Sequence, residues 1–158
     1  MNFVFIIFLT AICGSMIGLY FYNRQKARLD YYYELMGLVN SIISDVRFKQ
    51  DKLNIVFSNY LPTCKSALTN HITQYLEQQN TNLILSKHVL KKTELPRIER
   101  FFSSLGHTDS GTQLLELEGY KQEFEQDLKR VKAHHDKYGT TSIKLGFALG
   151  IGLGIMFI

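Results

Sequence analysis

The side chains best equipped for chemistry in this 158-residue sequence are five histidines and two cysteines. Their spacing offers little to catalysis. His134 and His135 are adjacent, so on a helix they project about 100° apart and cannot form an i, i+4 metal pair. They read as a solvated pair near a helix end. His71, His88 and His107 are isolated, and surface positions account for them. Cys13 lies within an apolar run and Cys64 stands alone, which makes no disulfide framework and fits a reducing compartment. There is no Gly-x-x-x-x-Gly-Lys-Ser/Thr loop for nucleoside triphosphates and no Gly-x-Ser-x-Gly elbow. The expectation is a non-enzymatic protein with no catalytic residue, no cofactor and no metal site.

The spacing that does carry chemistry belongs to glycine. Gly146, Gly150 and Gly154 recur every four residues, as do Gly14 and Gly18. In water each mid-helix glycine costs about 0.5–1 kcal/mol relative to alanine. In lipid the same stripe lets two helix backbones approach closely. These five glycines are therefore expected to pack membrane helices, against each other or against another membrane protein.

The segments holding them are apolar. No Asp, Glu, Lys or Arg occurs from Asn2 to Tyr22 or from Leu145 to Ile158, so a mean hydropathy of −0.06 averages two unlike populations. Phe3 to Tyr22 is long enough to cross a hydrocarbon core of about 30 Å. A cleaved signal peptide carries its bases before the apolar stretch, whereas Arg24, Lys26 and Arg28 follow it here. The second segment is short. It reaches spanning length by including Thr140 to Lys144, with Lys144 snorkelling to the headgroups. Arg24, Lys26, Arg28, Lys137 and Lys144 set the topology, since bases within about 15–20 residues of a span mark its cytoplasmic side. They also account for the net charge of +4 without a nucleic-acid partner.

Between the ends the apolar period is helical throughout. Leu29, Tyr32, Met36, Val39, Ile43 and Val46 stripe one helix that continues out of the first anchor. Asp51 is placed to cap a second, which carries Leu53, Val56, Phe57 and Tyr60 and stops at Pro62. Leu68, Ile72, Tyr75 and Leu76 mark a third. Residues 78–82 read as a loop, and Ile84, Leu85, Val89 and Leu90 as a further helix. Leu95, Ile98, Phe101, Phe102 and Leu105 follow, with Pro96 in a first turn and Gly106 as a left-handed cap. Ser110 and Gln113 have capping-box spacing and open a last helix through Leu117, Tyr120, Phe124, Leu128 and Val131. Its acids come early and its bases late, as a helix dipole favours. The expected fold is all-α: an antiparallel bundle of about five to six helices flanked by two transmembrane helices. The expected boundaries are 1–22 for the first anchor, 23–138 for a cytoplasmic bundle and 139–158 for the second.

Four residues near the last junction carry a resemblance. Leu105-Gly106, then Asp109, then Gln113 stand in a chain laid out as anchor, basic helix, bundle, charged final helix and glycine-bearing tail. This layout resembles the stage III sporulation protein AB family of endospore-forming bacteria, over essentially the whole chain. The stretch from Asn80 to Lys92 departs most from that pattern. The resemblance implies a soluble part like the cytoplasmic helical domains of type II secretion and type IV pilus platform proteins. It also implies a place in a secretion-like channel between mother cell and forespore, in the mother-cell-derived membrane. The implied partners are membrane lipid, other membrane subunits, further copies in an oligomer, and a secretion-type ATPase in the mother-cell cytoplasm. The Leu105, Gly106, Asp109 and Gln113 turn then has two readings, an ordinary helix junction or a partner contact. The alternative function is a platform component of a secretion or pilus system unrelated to sporulation.

Overall fold

The computed structural model describes residues 2–48, 52–78, 89–106 and 110–156. Every element among them is helical: α1 (Asn2–Phe48), α2 (Leu53–Tyr60), a 3₁₀ turn (Leu61–Thr63), α3 (Leu68–Gln78), α4 (Leu95–Ser104) and α5 (Ser110–Met156). The chain forms two compact units, one of residues 1–26 and 130–158 and one of residues 27–129. Both α1 and α5 contribute to each.

The central unit, 27–129, has a conventional core. Tyr31, Tyr32, Leu35, Leu38, Val39 and Ile42 of α1 are completely or almost completely buried. So are Phe57 of α2, Leu68 and Ile72 of α3, Ile98, Phe101 and Phe102 of α4, and Leu117 and Phe124 of α5. The buried face of α1 is thus two stripes wide, and the single stripe expected from the sequence is one edge of it. Leu29, Met36 and Val46 lie at its margin, half-buried. The reason is that α1 is covered from several sides: Tyr31 meets α3, Gly37 meets Tyr60, and Arg47 pairs with Glu118 of α5. Phe101 sits at the centre of an aromatic cluster, edge-on to Phe102, Tyr120 and Phe124. Such geometry adds about 0.5–1.5 kcal/mol per pair beyond burial.

Local details differ from the sequence expectation where tertiary contacts decide. Asp51 falls outside the described residues; Lys52 occupies the N-cap position of α2 and makes no side-chain cap bond. Pro62 ends α2 by turning the chain into the 3₁₀ element. Most of the helix expected around Ile84 and Leu85, like the loop from residue 79, also lies outside the described residues. Val89 and Leu90 belong to a turn and bend before α4, with Leu90 buried. Pro96 does lie in the first turn of α4, and Gly106 has φ +79°. The side-chain half of the Ser110 cap lies outside the described residues.

The last helix corrects the dipole argument. Helix α5 runs on to Met156, so Lys129, Arg130 and Lys132 are far from its C-terminus. Dipole stabilisation acts within the last turn and does not reach them. His134 and His135 are therefore mid-helix residues, His134 exposed and His135 half-buried against Tyr22 with ring centroids 5.4 Å apart. The surface expectation for His71 is also overturned: it is fully buried. Tyr31 on α1 supplies the hydrogen-bond partner that lets it go inside.

Candidate functional site

The unit of residues 1–26 and 130–158 is an antiparallel helix pair whose contact surface is backbone against backbone. A Cβ added at Gly14 would overlap the carbonyl oxygen of Gly146 and lie 3.0 Å from the Gly150 Cα. One at Gly18 would lie 2.7 Å from the Ser142 carbonyl oxygen and 2.9 Å from the Ile143 Cα. At Gly146 it would overlap the Gly14 carbonyl oxygen, and at Gly150 that of Thr10, with the Ala11 Cα at 2.9 Å. These separations leave no room for any side chain. Gly154 is buried as well. Ala11, Gly139 and Ser142 belong to the same surface; Ser142 extends the four-residue series 146, 150, 154 by one step, the signal that reveals it in the sequence.

The outward faces of the pair are apolar. Phe8, Met16, Ile17 and Tyr20 on α1 and Leu149, Leu153 and Ile155 on α5 are each more than half exposed, or nearly so. A surface of this extent on an isolated helix pair marks an interaction with membrane or protein. Among the described residues, α5 is long and apolar enough to cross a membrane.

The bases divide between the two units. Arg24, Lys26, Lys137 and Lys144 are exposed in the helix pair, with the Lys137 ammonium 5.0 Å from the Tyr138 ring centroid. Arg28 belongs to the central unit and forms a two-pronged bridge to Glu94, its Nε 3.2 Å from Oε2. Both side chains are mostly buried, which makes the bridge a fastener of the fold. Glu94 also accepts the Lys91 amide at 2.8 Å, so one carboxylate ties the turn before α4 to α1.

Three further polar devices in the central unit were not visible in sequence. Glu34 accepts amide hydrogens from Lys65 at 2.8 Å and Ser66 at 3.1 Å, satisfying the start of the segment that leads into α3. The Tyr60 hydroxyl donates to the Glu34 carbonyl at 2.8 Å over Gly37, where a side chain would strike it; burial pushes its pKa up to about 12. The Tyr31 hydroxyl and His71 Nδ1 share a 2.9 Å hydrogen bond inside the core, and burial pulls the His71 pKa down to about 4. No local motif announces such pairs, which join residues 26 to 66 positions apart in the chain.

Of the four residues at the α4–α5 junction, Leu105 is buried and Gly106 takes the left-handed conformation beside Leu53. Gln113 is buried with Nε2 unpaired among the described residues, and Asp109 lies outside them. Cys13 is exposed on the helix pair and Cys64 is buried, both as free thiols; burial raises Cys64 to about 11. His88 and His107 lie outside the described residues.

The family model for stage III sporulation protein AB matches residues 4–158. The chain belongs to that family. The match runs through both apolar segments and the central unit, so the glycine-packed pair is part of what the stage III sporulation protein AB pattern covers. The curated proteins and the solved structures give no match.

Proposed function

We propose that this protein is a two-span, non-enzymatic scaffold of a sporulation channel complex. The observation that carries this reading is the helix pair: backbone-close glycines inside, apolar side chains outside, bases at one end only. Helices that leave their outer faces apolar while spending their inner face on glycine suit a lipid environment. The bases behind the first segment and before the second support a cytoplasmic central unit. Family membership supports the sporulation setting over an unrelated secretion or pilus platform. In this reading the mother-cell-derived membrane around the forespore holds the pair, and the central unit docks a secretion-type ATPase alongside other membrane subunits and further copies of the chain.

The docking arm is tested by co-expressing the full chain with a secretion-type ATPase of the same organism and purifying through a tag on the chain. Retention of the ATPase in detergent, lost when residues 27–129 are replaced by an unrelated helical domain, is the expected result. No retention with the intact chain contradicts the docking role.

A further inference from the structure

Charge is distributed far more unevenly than the net value suggests. The helix pair holds six Lys and Arg against one acid, Asp136, while residues 27–129 hold twelve against thirteen. The pair therefore carries +5 and the central unit −1, for the total of +4.

On one side of the pair an apolar groove of about 540 Å³ runs between the helices, lined among others by Phe8, Ile12, Ser15 and Leu19 of α1 and Phe147 and Ile151 of α5. The lining of α1 runs from Phe8 to Leu19, about 16 Å at the helical rise. One leaflet of a hydrocarbon core about 30 Å thick has a similar depth. The only polar group named in this wall is Ser15, and its hydroxyl is already committed to the Ala11 carbonyl at 2.8 Å. The groove therefore offers nothing to a polar ligand and a complete apolar wall to a hydrocarbon chain.

What lies beyond the groove names the other end of its occupant. Continuing the α1 face past Leu19 by helical spacing leads to Asn23 and Lys26, and continuing the α5 face back from Phe147 and Ile151 leads to Lys144. Lys26 and Lys144 are both exposed. Arg24 and Lys132 fall on other faces by the same spacing. Lys137, seven residues before Lys144, shares its face and has its ammonium 5.0 Å from the Tyr138 ring centroid, which leaves Lys26 and Lys144 as the cations nearest the groove along its line.

We infer that the groove seats one acyl chain of an anionic phospholipid, with its headgroup phosphate held by Lys144 and Lys26. Each contact follows from ordinary chemistry: dispersion and exclusion of mobile lipid along the wall, charge-assisted hydrogen bonds from two ammonium groups to phosphate oxygens. The chain then carries a selected lipid at its cytoplasmic end, in contrast to bases that only bias orientation. This inference rests on the two-span reading above.

The test uses the full chain reconstituted into vesicles of equal parts phosphatidylcholine and phosphatidylglycerol, extracted gently and weighed by native mass spectrometry. The expected result is one phosphatidylglycerol retained in preference to phosphatidylcholine. Lys26→Gln with Lys144→Gln reduces that preference by about tenfold or more, since each lysine near an anionic surface contributes about fivefold. Ser15→Leu fills the groove and removes the retained lipid of either kind. Equal retention of both lipids, unchanged retention in both variants, or a second copy of the chain in place of lipid overturns the inference. Co-flotation with vesicles separates the two failures. A chain that floats but retains no phosphatidylglycerol defeats the lipid site alone, and one that does not float defeats the two-span reading together with it.

Discussion

The two units bury different things and so suit different surroundings. The central unit hides large side chains, Tyr31, Phe57, Phe101 and Phe124 among them, and leaves most of its charges outside, Asp45, Glu94 and Asp127 being buried. The helix pair hides backbone and leaves Phe8, Met16, Leu149 and Met156 outside. In water the hydrophobic effect stabilises the first arrangement and would undo the second. In lipid, where apolar tails are everywhere, only close packing distinguishes one helix contact from another, and small residues provide it. One pair of long helices, α1 and α5, carries both logics along its length.

The sharpest way to break the comparison is to make a cavity in one unit. Phe101→Ala removes the centre of the aromatic cluster and is expected to destabilise the central unit by about 3–5 kcal/mol, read by thermal unfolding of the detergent-solubilised chain. Pairing of the two helices in the other unit, read by disulfide trapping between Tyr22→Cys and His135→Cys, whose rings pack 5.4 Å apart, should persist under conditions where the central unit still folds. The converse change is overpacking. Gly150→Leu drives a side chain into the Thr10 carbonyl and the Ala11 backbone and should weaken the pair by about 3 kcal/mol, the upper end for overpacked contacts. The unfolding midpoint of the central unit should stay where it is.

A third effect sharpens the contrast through pH. His71 is held neutral in the fold, its pKa lowered by burial from 6.5 to about 4. The unfolded chain binds the proton more readily, so the stabilisation is complete above pH 6.5 and is lost as pH falls toward 4. By pH 5 the loss is on the order of 2 kcal/mol. Unfolding midpoints measured between pH 7.5 and 5 should fall, and His71→Leu should flatten that dependence while lowering stability at pH 7.5. The smallest effect is at the α4–α5 junction: Gly106→Ala at φ +79° should cost about 1–2 kcal/mol. A loss of ATPase retention without that loss of stability would instead favour the partner-contact reading of the Leu105 to Gln113 turn.

The legibility of the two units in sequence differed for the same physical reason. Glycine at four-residue intervals in a charge-free run is a local, periodic signal, and it located the surface that the pair brings together. The helices of the central unit were legible from their 3.6-residue period, along with Pro96 and the Gly106 cap. The width of the buried face of α1 was not, because Leu35, Leu38 and Ile42 are buried by elements that arrive later in the chain. The bridges Arg28–Glu94 and Tyr31–His71 are long-range pairings that no local pattern encodes. Arg28 looked like one more base behind an anchor and His71 like a surface residue; their partners decided otherwise. Helix α5 passes through Gly139 without a break, and a Cβ added there would lie 3.3 Å from the His135 ring and 3.5 Å from Tyr22.

The central claim is that the glycine-packed pair crosses the membrane with both connections to the central unit on the cytoplasmic side. Its most direct measurement is thiol labelling in intact non-sporulating cells that carry the chain in their plasma membrane, with Cys13→Ser and Cys64→Ala and single new cysteines. A cysteine added after Ile158 should react with an impermeant reagent from outside, while Lys137→Cys should react only after the membrane is opened. Protection of both until the membrane is opened would mean that the last segment does not span, and the two-span account would fall.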